Sequence, residues 1–398
     1  MSGTIRFLHI LIFFCSFFIV TIGIAGKRAA TTTTYNVLSF GARADGETDS
    51  THAFLRAWAE ACGSPEPAGI YVPPGEFRLG SARFRGRCRS KAVSVTIDGT
   101  LVAPSDYWSV AWKNWLLFEH VDGVNIRGGV LDGRGAALWR CKNSGGSCPA
   151  GATTLRFTNS KNINISHLTS HNSQMFHIVF NGCHNIEVNG VNVTAAGNSP
   201  NTDGIHVQLS SHVAILNSNI RTGDDCISIG PGISDLRIEN VTCGPGHGIS
   251  IGSLGKEMKE AGVQNVTVKR VEFNGTQNGV RIKSWGRPSN GFVKNIVFQN
   301  IAMLDVYNPI IIDQNYCPNH KGCPGQASGV KIRDVTYKDI HGTSASQVAI
   351  KFDCSSKHSC KRIRLEDVKL TYKKQAARAL CNHAGGTASP SVQPESCL

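Results

Sequence analysis

Charge is thin in this chain: only 17% of its 398 residues are Asp, Glu, Lys or Arg, and methionine occurs four times. That poverty argues against a mainly helical protein and, beside 42 glycines, fits a β-rich, turn-rich one. After the first 25 residues no apolar run is long enough to span a bilayer. No Cys-x-x-Cys pair occurs, which argues against a metal-binding use of the cysteines. There is no zinc finger, no RNP-type aromatic motif and no dense Lys/Arg tail, so a nucleic-acid partner is not expected. No Trp-Asp blade signature appears, which removes one kind of repeat fold.

The charge that is present is lopsided. A formal net charge of +13 suggests a polyanionic partner, an anionic membrane or an acidic polysaccharide rather than nucleic acid, and charge alone does not choose between them. From Met1 to about Ala25 a single early arginine, Arg6, precedes the apolar run Phe7 to Ile24, with small residues Gly23 and Ala25 at cleavage spacing. This reads as a secretory signal peptide over 1–25, with an uncleaved membrane anchor as the other reading. The expectation is therefore a secreted protein, acting outside the cell with no membrane attachment after cleavage, and a monomer. Fourteen cysteines fit an oxidising compartment. Leaving out Cys15, close spacing suggests Cys141–Cys148, Cys317–Cys323, Cys354–Cys360 and Cys381–Cys397, with Cys62–Cys88 and Cys226–Cys243 closing longer loops. Cys183 is left as a free, buried thiol. Five Asn-x-Ser/Thr sequons, at Asn164, Asn192, Asn240, Asn265 and Asn274, are compatible with secretion.

From about residue 120, short β-branched runs recur between Asn, Gly and Asp. One series reads NINISHL at 162, NIEVNGV at 185, VAILNSN at 213, NVTVKRV at 265 and NIVFQNI at 295. A second interleaves with it: TDGIHV at 202, DDCISIG at 224, GHGISIG at 246 and NGVRIKS at 278. A strand repeat of 20–50 residues marks a solenoid, in which stacked coils bury a face that one coil cannot bury alone. The pattern predicts an all-β, single-domain parallel β-helix over 26–398. Asp49 to Cys62 predicts a short amphipathic helix, with Phe54, Leu55, Trp58 and Cys62 on one face, capping the first coils. After Lys374 the period is lost, and a polar tail pinned by Cys381 and Cys397 is expected.

Asp203, Asp225 and His247 recur every 22 residues. In a parallel β-helix equivalent positions stack at about 4.8 Å, so these three form a ladder, joined by Asp224. Like charges so close cannot all ionise freely, so at least one carboxylate should have a raised pKa, the property of a general acid. Asp225 and His247 share parity with the inward Ile227 and Ile249, so they must sit at a bend before each strand. A coil later Arg281, Lys283 and Trp285 alternate with Ile282 and Ser284, presenting two cations and an indole to one face. Such a set suits an anionic sugar, since arginine grips a carboxylate bidentately. Taken singly, each residue also admits a plain structural reading: an Asx-turn, a solvated strand face or, for Tyr316, a packed turn residue.

At these positions the chain resembles the plant polygalacturonases of the pectinase family, glycoside hydrolase family 28. The resemblance runs from about Tyr35 to the C-terminus, and its four blocks stand in order: Asn201-Thr202-Asp203-Gly204, Gly223-Asp224-Asp225-Cys226, Gly246-His247-Gly248 and Arg281-Ile282-Lys283. It implies a right-handed parallel β-helix and inverting hydrolysis of α-1,4 links between galacturonic acid units of pectin, without cofactor or metal. It further implies Asp224 as general acid, Asp203 and Asp225 holding the attacking water, and His247 supporting the acid. Asn201, Arg281, Lys283 and Tyr316 would bind substrate. Since inversion needs room for water, Asp224 is expected to stand apart from the Asp203–Asp225 pair, adjacent strand residues pointing oppositely. The resemblance favours endo action; exo action and a calcium-dependent pectate lyase are the alternatives.

Overall fold

Asparagine and aspartate recur where the chain must turn, because their short polar side chains tolerate a left-handed backbone and bond to one another. Asn217 and Asn240 have φ of 50° and 56°. The amide of Asn217 donates to Asn189 at 2.9 Å, and the amide of Asn240 donates to Asn217 at 2.7 Å. A second ladder joins Asn185 to Asn162 at 2.7 Å and Asn295 to Asn265 at 3.1 Å. These ladders bend each coil at the same place, and between the bends the β-branched runs pair in register.

The computed structural model describes residues 32–110, 114–318 and 321–398. The signal-peptide segment lies outside them. The described residues wind into a parallel β-helix. Its right-handed sense is the one that twisted parallel strands impose on their crossovers. One sheet has 11 strands, from Ala82–Arg85 at one end to Arg378–Asn382 at the other. Its central members are Ile205–Gln208, Ile227–Ile229, Ile249–Leu254 and Asn278–Trp285. A sheet of 20 strands takes the rest of each coil, in long bent runs such as Ser211–Arg221 and Ile233–Cys243.

Inward residues stack coil on coil. Phe84, Phe118, Phe157 and Phe180 lie face to face with ring centroids 4.5, 4.9 and 5.5 Å apart. Truncating a fully buried ring in such a column removes its burial and leaves a cavity. Phe157→Ala should cost about 3–5 kcal/mol, read as a lower urea midpoint at unchanged m-value.

A helix spans Thr51–Gly63, one residue beyond the expected C-terminal limit, and Asp49 accepts the Thr51 N–H at 2.9 Å. Phe54 and Trp58 are buried on its inner face, where Trp58 meets Phe84 and Phe118 edge-on, while Leu55 is only partly buried. The winding already runs before residue 120, within the expected span of 26–398, since Thr33–Asn36 pairs with Ala68–Val72, and that pairs in turn with Val93–Ile97. Two features differ from the sequence reading. A second helix, Ala136–Asn143, was not foreseen: its polar composition (AALWRCKN) gives little periodicity, and only Leu138 and Trp139 are buried. The coil also persists past Lys374: Arg378–Asn382 pairs with Val348–Asp353, and Ala384–Ala388 with Cys360–Tyr372. Backbone pairing there needs no β-branched side chains, which is why the sequence concealed it. All six expected disulfides are present, and Cys183 is free and buried.

Candidate active site

Ile205, Ile227 and Ile249 stand in register on three successive strands of the 11-stranded sheet. Asp203, Asp225 and His247 each lie two residues before one of them, on the turn leading in, so the ladder and the bend are as the spacing requires. Gly248 makes the bend possible: its φ is 87°, and a Cβ there would strike the carbonyl oxygens of Asn278 and Gly279.

The three carboxylates have different surroundings. Asp225 is 1% exposed and fully engaged. Its Oδ1 accepts from Ser250 Oγ and from Arg281 at 2.8 Å each, and its Oδ2 accepts from Lys283 Nζ at 2.8 Å. Burial alone would raise its pKa, but Lys283 and Arg281 outweigh it and hold the group at about 2. Asp203, 6% exposed, has no such clamp. Burial first, then the charges of Asp224 and Asp225, push it well above the carboxylate range. Asp224 sits at the rim. Its Oδ1 accepts the Asp225 N–H at 2.8 Å and lies 3.1 Å from His247 Nδ1, which leaves Oδ2 without a partner among the described residues.

Two expectations change here. Arg281 and Lys283 are not free cations awaiting substrate; they are first of all the counter-ions of Asp225, although each keeps further N–H donors. Asp224 does not stand apart from Asp225 either: one oxygen of each, with a nitrogen of His247, lies within 4.8 Å of the others. Both residues sit on the turn, where strand alternation does not apply. Tyr316 pairs in register with Trp285, their rings meet edge-on at 5.4 Å, and Lys283 Nζ lies 5.1 Å from the Tyr316 ring centroid. Asn201 is exposed with φ of 58°, two residues before Asp203, and its side chain bonds to nothing among the described residues.

The outward row across the strands runs Arg156, Val179, His206, Ser228, Ser250, Arg281, Ile311, Lys351. His206 was missed, although inward Ile205 and Val207 place it outward. Its Nδ1 lies 2.8 Å from Ser228 Oγ, and burial holds the ring at a pKa of about 4, hence neutral. Ser250 ties Asp225 to Arg281: its hydroxyl donates to Asp225 and accepts from Arg281 Nε at 2.9 Å.

With this geometry in place, comparison with known proteins is informative. The family model described as "Glycosyl hydrolases family 28" matches residues 62–389. A polygalacturonase of Prunus persica is 66% identical over 367 residues, covering 92% of this chain and 93% of that protein. The chain belongs to glycosyl hydrolases family 28. It is thus a glycoside hydrolase. An exopolygalacturonase of Platanus acerifolia is 40% identical over 343 residues, covering 85% of this chain and 90% of that protein. The crystal structure of an endo-xylogalacturonan hydrolase from Aspergillus tubingensis superimposes with a TM-score of 0.79 at 22% identity, over 90% of this chain and 99% of that one, a likeness of fold.

Proposed function

We propose that this glycoside hydrolase is a polygalacturonase, cleaving α-1,4-galacturonosyl links in pectin by direct attack of water. The observation that carries the reading is the division of labour among three neighbouring carboxylates: Asp225 clamped and ionised, Asp203 buried with a raised pKa, Asp224 at the rim with a free oxygen. The 66% identity to a polygalacturonase supports the substrate class.

In this mechanism Asp224 Oδ2 gives its proton to the glycosidic oxygen as the C–O bond breaks. His247 orients the carboxyl through Oδ1. Water held between Asp203 and Asp225 attacks the anomeric carbon; Asp203, which must be ionised for this step, takes its proton. Asp225 is a poor nucleophile because three donors occupy its oxygens, so the short carboxylate separation does not lead to a covalent intermediate. Asp225 already has an ammonium and a guanidinium as counter-ions, which favours hydrolysis over calcium-dependent elimination. Arg281, Lys283 and Tyr316 border the bound galacturonate, with Asn201 at the rim. The outward row extends on both sides of the acid, which supports endo action. Secretion to the cell wall, cleavage near Ala25, a single catalytic domain over 26–398 and a monomeric state belong to the same reading. Among the described residues no helix is long and apolar enough to cross a membrane.

Product analysis on de-esterified polygalacturonate, with and without chelator, tests the proposal. Saturated oligomers formed equally in both are expected; unsaturated oligomers lost on chelation would sink it. With a +13 protein and a polyanion, KM should rise several-fold between 20 and 300 mM salt at nearly constant kcat, as the Debye length shrinks below about 8 Å and screens the attraction. A KM independent of salt would remove the electrostatic part of the account.

A further inference from the structure

The two arms of the outward row differ in charge. On one side, three coils before Ser228, Arg156 is half-buried on the strand Thr153–Thr158. The acid nearest to it in the ladder, Glu119, pairs in register with Thr158, but its oxygens are taken by Arg83 at 2.6 Å and Arg85 at 3.1 Å. Among the described residues Arg156 has no anionic partner, and burial disfavours its charge. Beside it stand Thr158 and Asn181, in register with each other; Asn181 Oδ1 accepts from Gln208, leaving its amide hydrogens free. A half-desolvated guanidinium among hydroxyl and amide donors, with its one acidic neighbour already satisfied, is a site for an anion.

The other arm is the reverse. Lys283, Asp313 and Asp353 are in register on successive strands, about one coil step of ~4.8 Å apart. Asp313 is half-buried, and burial raises its pKa. Asp353 accepts from Asn382 at 3.2 Å, and Lys351, 4.0 Å from Asp353 and also felt by Asp313, is a single lysine against two acids. Alongside opens a groove of about 410 Å³ lined by Asn315, Gln326, Ser355, Asn382 and His383, with no Lys, Arg, Asp or Glu among its lining residues. A galacturonate carboxylate laid on this arm would face two aspartates and only one cation, Lys351, already drawn to them, whereas its methyl ester carries no charge to repel.

Building on the polygalacturonase reading, we propose that the cleft reads the ester pattern of its substrate: ionised galacturonate on the Arg156 arm, methyl-esterified galacturonate accepted on the Asp313–Asp353 arm. Specificity here comes from a repulsive element as much as from an attractive one.

Partially methyl-esterified oligogalacturonides, digested and sequenced by tandem mass spectrometry, give the position of each ester relative to the cut. Wild type should leave esters at least five-fold enriched within three units on one side of the cut and depleted on the other. Arg156→Gln should remove the depletion and raise KM for fully de-esterified polymer about ten-fold at similar kcat, and Arg156→Lys should restore part of both. Asp313→Asn should weaken the enrichment and improve use of de-esterified polymer. Equal ester distribution on both sides in wild type, or a pattern unmoved in Arg156→Gln and Asp313→Asn, overturns the inference. Digestion of de-esterified polygalacturonate by wild type is the separate control. If that polymer is not cut at all, the polygalacturonase reading fails instead.

Discussion

Asp224→Asn should lower kcat on polygalacturonate by about 10³-fold, within the roughly 10²–10⁴ that a positioned general acid contributes. The fold should not change. Asparagine is isosteric, and its Oδ1 can still accept the Asp225 N–H now accepted at 2.8 Å. What it loses is a transferable proton on the unbonded oxygen. KM should therefore move little, since an interaction made only in the transition state affects kcat and kcat/KM together. Steady-state kinetics beside a thermal melt check this. A loss of under ten-fold at unchanged Tm would remove Asp224 from the role of acid.

Lys283→Met should be costly in two ways. The Lys283 and Asp225 side chains are 8% and 2% exposed, so the variant leaves a buried carboxylate short of one counter-ion. Breaking a buried pair from one side costs about 3–5 kcal/mol, and the lower end is expected because Arg281 stays 2.8 Å from Asp225. The folded pKa of Asp225, about 2 against an ordinary 3.8, lies below its unfolded value. Its contribution to stability is thus fully present above about pH 4 and lost as pH falls toward 2. In Lys283→Met the Asp225 pKa rises toward its unfolded value, that contribution shrinks, and the fall in stability below about pH 4 should be shallower. Urea unfolding between pH 3 and 7 reads both effects; an unchanged acid limb would mean Lys283 is not what holds Asp225 ionised.

Much of this site can be read in the sequence because a solenoid converts spacing into space. The interval of 22 residues from Asp203 to Asp225 and again to His247 becomes a ladder once the isoleucines two residues later are in register. The disulfides were legible for the same reason, as close partners within or between coils. What stayed hidden depends on side-chain reach and burial. Arg281 lies 56 residues from Asp225, and parity places it outward without telling that its guanidinium extends back past Ser250. The carboxylate that burial raises is Asp203, which the sequence reading had placed on the water side and not as the acid. Asp224 and Asp225 on a turn escape the strand alternation that suggested they diverge. The last coil was hidden because its pairing is carried by backbone alone.

The central claim is that water attacks directly, with Asp225 held too firmly to act as nucleophile. The carboxylate spacing taken alone would suggest otherwise: separations of about 5–5.5 Å accompany retention, and about 6.5–9.5 Å inversion. Proton NMR of the first-formed product on de-esterified oligogalacturonate decides between them. The account predicts that the new reducing end appears first as the β-anomer and mutarotates later toward the α form. An α-anomer formed first would mean a covalent intermediate on the enzyme, and would contradict the roles assigned to Asp203 and Asp225.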